Sequence, residues 1–85
     1  YVSDLLSDVI ANSQKGNVWI TMQVHVNIVA VAVLKELSAI VIVNGREPNE
    51  DTLKKAQEEN VVILSSNLSA FSLTGKLYQL GVGKN

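Results

Sequence analysis

The chain has 85 residues, enough for one domain, and it contains no cysteine, which excludes disulfides, thiolate metal sites and a thiol nucleophile. Its net charge of −1 argues against nucleic-acid binding, which needs a basic face. The longest apolar runs, residues 28–34 and 39–43, are too short to span a membrane, so we expect a cytoplasmic protein with neither a nucleic-acid nor a membrane partner.

The first predicted element is an amphipathic helix over residues 3–13. Ser3 or Asp4 can cap it, because a short side-chain oxygen accepts a hydrogen bond from a free N–H of the first turn. Apolar residues then recur at helical spacing at Leu5, Leu6, Val9 and Ile10. A polar break follows with Gly16 as its turn residue, and the β-branched run 18–22 predicts the first strand.

Residues 28–38 are ambiguous between strand and helix. Their alternation of valine and alanine resembles a strand, and valine is a mediocre helix former. A helix is favoured, because two strands would have to meet here with almost no turn before residue 39. The core-facing stripe of this helix is then Ala30, Val33, Leu34 and Leu37. The opposite face is also apolar, which predicts cover by a second subunit and a homodimer interface of Ile28, Val31 and Ala32.

Residues 39–43 are apolar on both alternating faces, which predicts a central strand of a parallel sheet. They end at Asn44 and Gly45, a pair typical of a two-residue hairpin. Pro48 and the acidic residues after it instead predict a helix that runs to about residue 60. The charges of that helix are spaced four residues apart and indicate a solvated face.

A strand over residues 61–64 and a helix over residues 68–80 complete the prediction. Gly75 lies inside that helix, where glycine costs about 1 kcal/mol relative to alanine, and this predicts close backbone packing. Strands that alternate with helices predict an α/β fold with a small, mostly parallel sheet and helices on both faces.

Polar loops follow all three predicted strands. In a parallel sheet these loops share the carboxyl edge, where such folds bind ligands, and each precedes a helix whose free N–H groups favour an anion. Arg46 can pair with a phosphate or carboxylate, and His25 can titrate near neutral pH. The predicted ligand-binding residues are Thr21, Gln23, His25, Asn27, Asn44, Gly45, Arg46, Ser65, Ser66 and Ser69.

A structural interpretation of the same residues stays open. Helix capping accounts for the asparagines and serines, and Arg46 and His25 are also compatible with solvated or interface positions. The sequence has no phosphate loop, no Gly-x-Gly-x-x-Gly and no nucleophile elbow. It also has no His and carboxylate cluster with metal-ligand spacing. We therefore expect no catalysis, no cofactor and no metal.

Three strand ends carry motifs of a known family. Residues 23–28, Gln-Val-His-Val-Asn-Ile, match a Gly-Asp-Arg-x-Asp-Ile motif, and residues 43–45 with Pro48 match Thr-Gly-Gly followed by proline. Residues 63–66 and 69–71 match a Val-Leu-x-Thr strand and an Asp-Thr-Phe turn. The chain thus resembles a divergent, stand-alone DRTGG domain, a regulatory module of some CBS-domain pyrophosphatases and phosphotransacetylases that is related to the N-terminal domain of HPr kinase/phosphorylase.

We expect residues 1–85 to form a single domain. The resemblance covers residues 18–78, and residues 1–17 are predicted to form an N-terminal helix and turn. Of the residues that name the family, Gly45 is present, whereas Val24, His25 and Val43 replace its Asp, Arg and Thr. The resemblance implies an α/β fold, a tendency to dimerise and a regulatory role without known catalysis.

Two functional hypotheses follow. The first is a non-catalytic regulatory or interaction module, a homodimer, in bacterial or archaeal metabolic or signalling regulation. The second is a small-molecule sensor that holds a nucleotide or another anionic ligand across the three loops.

Overall fold

A computed structural model describes residues 1–84 of the chain. The elements are α1 (Leu6–Asn12), β1 (Val18–Thr21), α2 (Asn27–Lys35), β2 (Ala39–Ile42), α3 (Glu50–Glu59), β3 (Ile63–Ser65) and α4 (Ala70–Gln79). Every predicted element is present, with ends that differ from the prediction by at most three residues. Among the described residues, no helix is long and apolar enough to cross a membrane.

The three strands form one parallel sheet in the order β1-β2-β3. In the middle strand, Ile40 is paired with Trp19 on one side and with Ile63 on the other. Because both crossovers run in the same direction along the sheet, α2 and α3 lie on one face, together with α1. α4 packs on the other face beside Val18 and Ile20. The predicted α/β fold with helices on both faces is confirmed.

The main core lies between the sheet and the helices α1, α2 and α3. Alternate residues of β1 and β2 point into it, and Trp19, Ile40 and Ile42 are fully buried there. The indole Nε1 of Trp19 donates a hydrogen bond to the Ser3 carbonyl oxygen at 2.8 Å, so the ring is buried without an unmet donor.

α2 contacts the core through the side opposite to the predicted one. Ile28, Val31 and Ala32 are at most 6% exposed and lie in the core, so the prediction that they face outward to a second subunit is wrong. Val33 and Leu34, which were predicted to be buried, are 45% and 65% exposed. The physical reason is that this helix is apolar around most of its circumference, so its sequence periodicity does not distinguish the two faces.

The first residues extend the sheet beyond β1. Val2 forms a parallel bridge with Ile20, which covers the outer edge of β1. α1 begins after Leu5, which occupies the N-cap position without a side-chain hydrogen bond. The prediction that Ser3 or Asp4 caps this helix is therefore wrong.

A small polar cluster holds α1 against these first residues. The Tyr1 hydroxyl and the Asn12 side-chain amide both donate to Asp8 Oδ1, each at 2.8 Å. The hydrogen bond from Asn12, followed by the one from Tyr1, lowers the pKa of the Asp8 carboxyl group. The same bond to Asp8 raises the pKa of the Tyr1 phenol. The cluster is therefore strongest between the acidic and the strongly basic pH ranges, where Asp8 is ionised and Tyr1 is protonated.

Gly75 does not mark a close contact. A Cβ atom at this position would meet nothing within 4 Å outside its own helix. The prediction of close backbone packing is therefore wrong, and the glycine leaves open space beside α4.

We predict that Gly75→Ala stabilises the protein by about 0.5–1 kcal/mol, because alanine loses less backbone entropy in a helix and has room here. Urea denaturation should show a higher midpoint with an unchanged slope. Gly81→Ala is the matched control. Gly81 has a φ of +101°, so alanine should destabilise the protein there. Similar effects at the two positions would contradict the prediction.

Candidate functional site

The carboxyl edge of the sheet brings the three predicted loops together. The Asn44 N–H donates to the Leu68 carbonyl oxygen at 2.9 Å, and the Gly45 N–H donates to the Ser66 carbonyl oxygen at 2.9 Å. Arg46 Nη1 donates to the Met22 carbonyl oxygen at 2.8 Å. The loop after β2 is thus bonded to the loops after both neighbouring strands.

The turn after β2 has the backbone of a hairpin turn but a different role. Asn44 and Gly45 have φ values of 60° and 68°, and the Arg46 N–H donates to the Val43 carbonyl oxygen at 3.3 Å. Two successive residues with positive φ are typical of a type I′ turn. Here the chain continues to α3 instead of returning antiparallel, because β2 is already paired in parallel on both edges.

Gly45 is required at this turn for its backbone conformation and its lack of a side chain. Its φ lies in the left-handed region, and a Cβ atom would lie 3.1 Å from Asn67 Oδ1. The turn can therefore approach the loop after β3 closely enough to form the hydrogen bond to Ser66.

We predict that Gly45→Ala destabilises the protein by about 1–2 kcal/mol, because alanine is strained in the left-handed region and crowds Asn67. Urea denaturation measures the loss. Gly16→Ala is the control for strain without crowding, since Gly16 has a φ of +84° and its Cβ would be 4.0 Å from the nearest atom. If Gly16→Ala costs as much as Gly45→Ala, the contact with Asn67 has no effect.

Asp4 also lies at this edge, and it is not among the predicted ligand-binding residues. Its Oδ1 accepts hydrogen bonds from the Thr21 hydroxyl at 2.8 Å and from the Met22 N–H at 2.7 Å. Its carbonyl oxygen accepts a hydrogen bond from Gln23 Nε2 at 2.8 Å. Three donors of the first loop are therefore already bonded to Asp4, and a carboxylate lies where an anion was predicted. No local sequence pattern links Asp4 to residues so far along the chain.

We predict that Asp4→Ala destabilises the protein by about 1.5–3 kcal/mol, because it removes a charged acceptor and leaves the O–H of the buried Thr21 without an acceptor. Urea denaturation of Asp4→Ala, Thr21→Val and the double variant forms a double-mutant cycle. The double variant should be less destabilised than the sum of the two single variants. Strict additivity would show that the two side chains do not interact.

His25 and Asn44 are also paired with residues of the protein. His25 Nδ1 lies 3.1 Å from the Asn49 side-chain amide, at the start of α3. The Asn44 side-chain amide lies 2.9 Å from Met22 Sδ. Both residues are exposed, and their contacts hold one loop against the next.

The interpretation of the asparagines and serines as helix caps holds for Ser69 and is wrong for Asn27 and Asn49. The N-cap of α2 is Val26, and Asn49 occupies the N-cap of α3 without a side-chain hydrogen bond. Ser69 Oγ accepts a hydrogen bond from the Ser72 N–H at 3.2 Å and caps α4. Ser66 Oγ accepts one from the Leu68 N–H at 3.1 Å within its own loop. Asn27 and Ser65 are exposed, at the start of α2 and the end of β3.

The structure thus gathers the predicted residues at one edge, and most of their polar side chains are hydrogen-bonded within the protein. Within residues 1–84, no group of three or more His, Asp or Glu side chains is arranged to hold a metal ion. One N–H of the exposed Arg46 is bonded to the Met22 carbonyl oxygen, and among the described residues its other N–H groups have no such bond. An anionic ligand that uses Thr21 or the Met22 N–H would compete with Asp4 for these donors.

A second candidate surface lies on the outer side of α2 and α3. A groove of about 320 Å³ separates the two helices, and we call it the α2–α3 groove. Its lining residues are Val29, Ala30, Val33, Leu34, Lys55 and Glu59. Lys55 Nζ lies 3.3 Å from Glu59 Oε1, so one positive and one negative side chain border an otherwise apolar surface. Sequence reasoning missed it because these α2 residues were assigned to the core.

Comparison with known proteins gives no match: the chain matches no protein-family model, no curated protein and no solved structure. The resemblance to the DRTGG domain stays a prediction from sequence motifs.

Proposed function

We propose that this chain is a non-catalytic regulatory module that acts by self-association, as a homodimer formed through the α2–α3 groove. The observation that carries the proposal is the exposure of Val33 and Leu34 on the same face as an apolar groove. Scattered exposed apolar side chains are ordinary, but a contiguous apolar surface with a polar border is typical of an interaction site.

The charges beside the groove favour a second copy of the chain as the partner. Lys55 and Glu59 lie one helical turn apart on α3. In the proposed dimer, a two-fold axis sets Lys55 of one copy opposite Glu59 of the other, and the symmetry then forms the same ion pair twice. The Leu34 side chain of each copy then fills the groove of the other, and the small side chain of Ala30 permits the close approach of the two α2 helices.

The carboxyl edge of the sheet supports the non-catalytic part of the proposal. Arg46 and Asn44 bind neighbouring loops, and Asp4 holds the Thr21 hydroxyl, so the polar groups there have structural partners. The resemblance to the DRTGG domain implies the same combination of dimerisation and regulation. The alternative, a sensor for a nucleotide or another anion, rests on the remaining N–H groups of Arg46 and would bring the anion close to the Asp4 carboxylate.

We predict that Leu34→Asp weakens dimerisation at least about 30-fold, because it puts a charge into the apolar contact. Sedimentation velocity at micromolar concentration measures the change. Leu34 is exposed in the single chain, so the variant should fold, and circular dichroism checks this. Phe71→Asp is the matched control, since Phe71 is 90% exposed on α4 and should leave the dimer intact.

A charge exchange tests the two-fold arrangement. Lys55→Glu alone brings like charges together and should weaken the dimer, and adding Glu59→Lys should restore it. A wild-type protein that is monomeric at micromolar concentration would contradict the proposal. So would a dimer that is dissociated by Phe71→Asp and not by Leu34→Asp, because the interface would then lie on the other face of the sheet.

A further inference from the structure

The two outer edges of the sheet are not covered equally. At β1 the amino-terminal segment fills the edge, because the Ile20 N–H donates to the Tyr1 carbonyl oxygen at 2.8 Å and the Ser3 N–H donates to the Ile20 carbonyl oxygen at 3.2 Å. The opposite edge is β3, which has a neighbouring strand on one side. No segment within residues 1–84 pairs with its outer side. The described part of the sheet therefore has one open edge.

The open edge presents the backbone groups of Ile63 and Ser65. The Val62 carbonyl oxygen and the Ser66 N–H are both hydrogen-bonded to β2. Because alternate residues of a strand direct their N–H and C=O groups to opposite sides, those of Ile63 and Ser65 point away from β2. Among residues 1–84, these four backbone groups form no hydrogen bond.

β3 lacks the residues that usually prevent a strand edge from pairing. Residues 61–66 read Val-Val-Ile-Leu-Ser-Ser and contain neither a charged residue nor a proline. Natural sheets normally place a lysine, another charge, a proline or a bulge at an open edge. Val62 and Leu64, which alternate with the core-facing Ile63, are 51% and 52% exposed. β3 therefore offers both backbone groups and apolar side chains to another strand.

We infer that this other strand is β3 of a second copy of the chain, paired antiparallel across a two-fold axis at Leu64. In this register Ile63 of each copy faces Ser65 of the other, and each such pair exchanges two hydrogen bonds. All the outward backbone groups of both strands then have partners. Directly opposite residues lie on the same face of a sheet, so the two Leu64 side chains contact each other. A second copy is favoured as the occupant because β3 complements itself in this register.

This contact is separate from the α2–α3 groove and shares no lining residue with it. Since β3 has three residues, the contact is small, and we expect a dissociation constant of about 0.1 mM. Pairing through β3 joins two groove dimers into a larger assembly, because the two contacts have different two-fold axes. That last step rests on the proposed function, whereas the strand pairing itself does not.

The experiment uses the Leu34→Asp variant, in which the proposed groove contact is weakened, and measures amide hydrogen exchange by ¹H–¹⁵N NMR. Between about 20 μM and about 1 mM protein, exchange of the Ile63 and Ser65 N–H groups should slow about fourfold as the copies pair. The Ser66 N–H, which is bonded to β2 in the single chain, is the internal reference and should change little. In a mixture of labelled and unlabelled copies, an intermolecular NOE should join the two Leu64 Hα atoms, which lie close together in this register.

Three further substitutions in the same Leu34→Asp background locate the contact. Leu64→Lys sets two positive charges opposite each other on the axis and should abolish the protection at high concentration. Leu5→Lys is the matched control, because Leu5 is 64% exposed at the start of α1 and should leave the protection intact. Ser65→Pro removes an outward N–H and leaves the bonds to β2 in place, so the chain should fold, as circular dichroism checks, without pairing.

Equal exchange rates at the two concentrations would overturn the inference, because the edge would then not bind a second copy. Protection that persists in both Leu64→Lys and Ser65→Pro would overturn it as well, since the contact would lie elsewhere. A wild-type protein without a groove dimer would contradict the proposed function alone, because the test of β3 does not depend on that contact.

Discussion

The central strand β2 is paired on both edges and buried on both faces. Ile40 and Ile42 pack into the main core. Val41 and Val43 alternate with them, point to the other face of the sheet and are also buried. Because each edge of β2 is satisfied by a parallel partner, the chain needs a crossover before and after it, and both crossover helices must lie on one face. This arrangement leaves one helix, α4, to cover the other face. A pocket beside Val18 and the exposed Leu64 side chain both follow from that uneven cover.

The elements themselves were predictable because their signals are local. Short β-branched runs ended at polar turn residues, and Pro48 with its acidic neighbours outweighed the hairpin signal of Asn44 and Gly45. The direction in which α2 faces was not predictable in the same way. Seven of its nine residues are apolar, so either side could contact the sheet. The choice depends on which side fits against Trp19 and Ile40.

The candidate site, like the fold, has one part that the sequence predicts and one part that it does not. Parallel topology predicts that the loops after the three strands meet, and the hydrogen bonds from Asn44 and Gly45 to the loop after β3 agree with it. The chemistry of the edge depends on partners that no spacing reveals. Asp4 takes the donors of Thr21 and Met22 through a contact that crosses 17 or more residues of sequence. A polar residue at a strand end can join two loops or bind a ligand, and its sequence context is the same in both cases.

Trp19 offers an optical view of this architecture. It is the one tryptophan of the chain, fully buried, and its indole N–H is bonded to the Ser3 carbonyl oxygen. Its fluorescence therefore comes from a ring shielded from water on the inner face of the sheet. Ser3 directly precedes Asp4, which is hydrogen-bonded to Thr21 and Met22. If the first residues were released from β1, the indole N–H would lose its partner and water could reach the ring. The emission spectrum thus reports on the attachment of the amino-terminal segment, while circular dichroism follows the four helices.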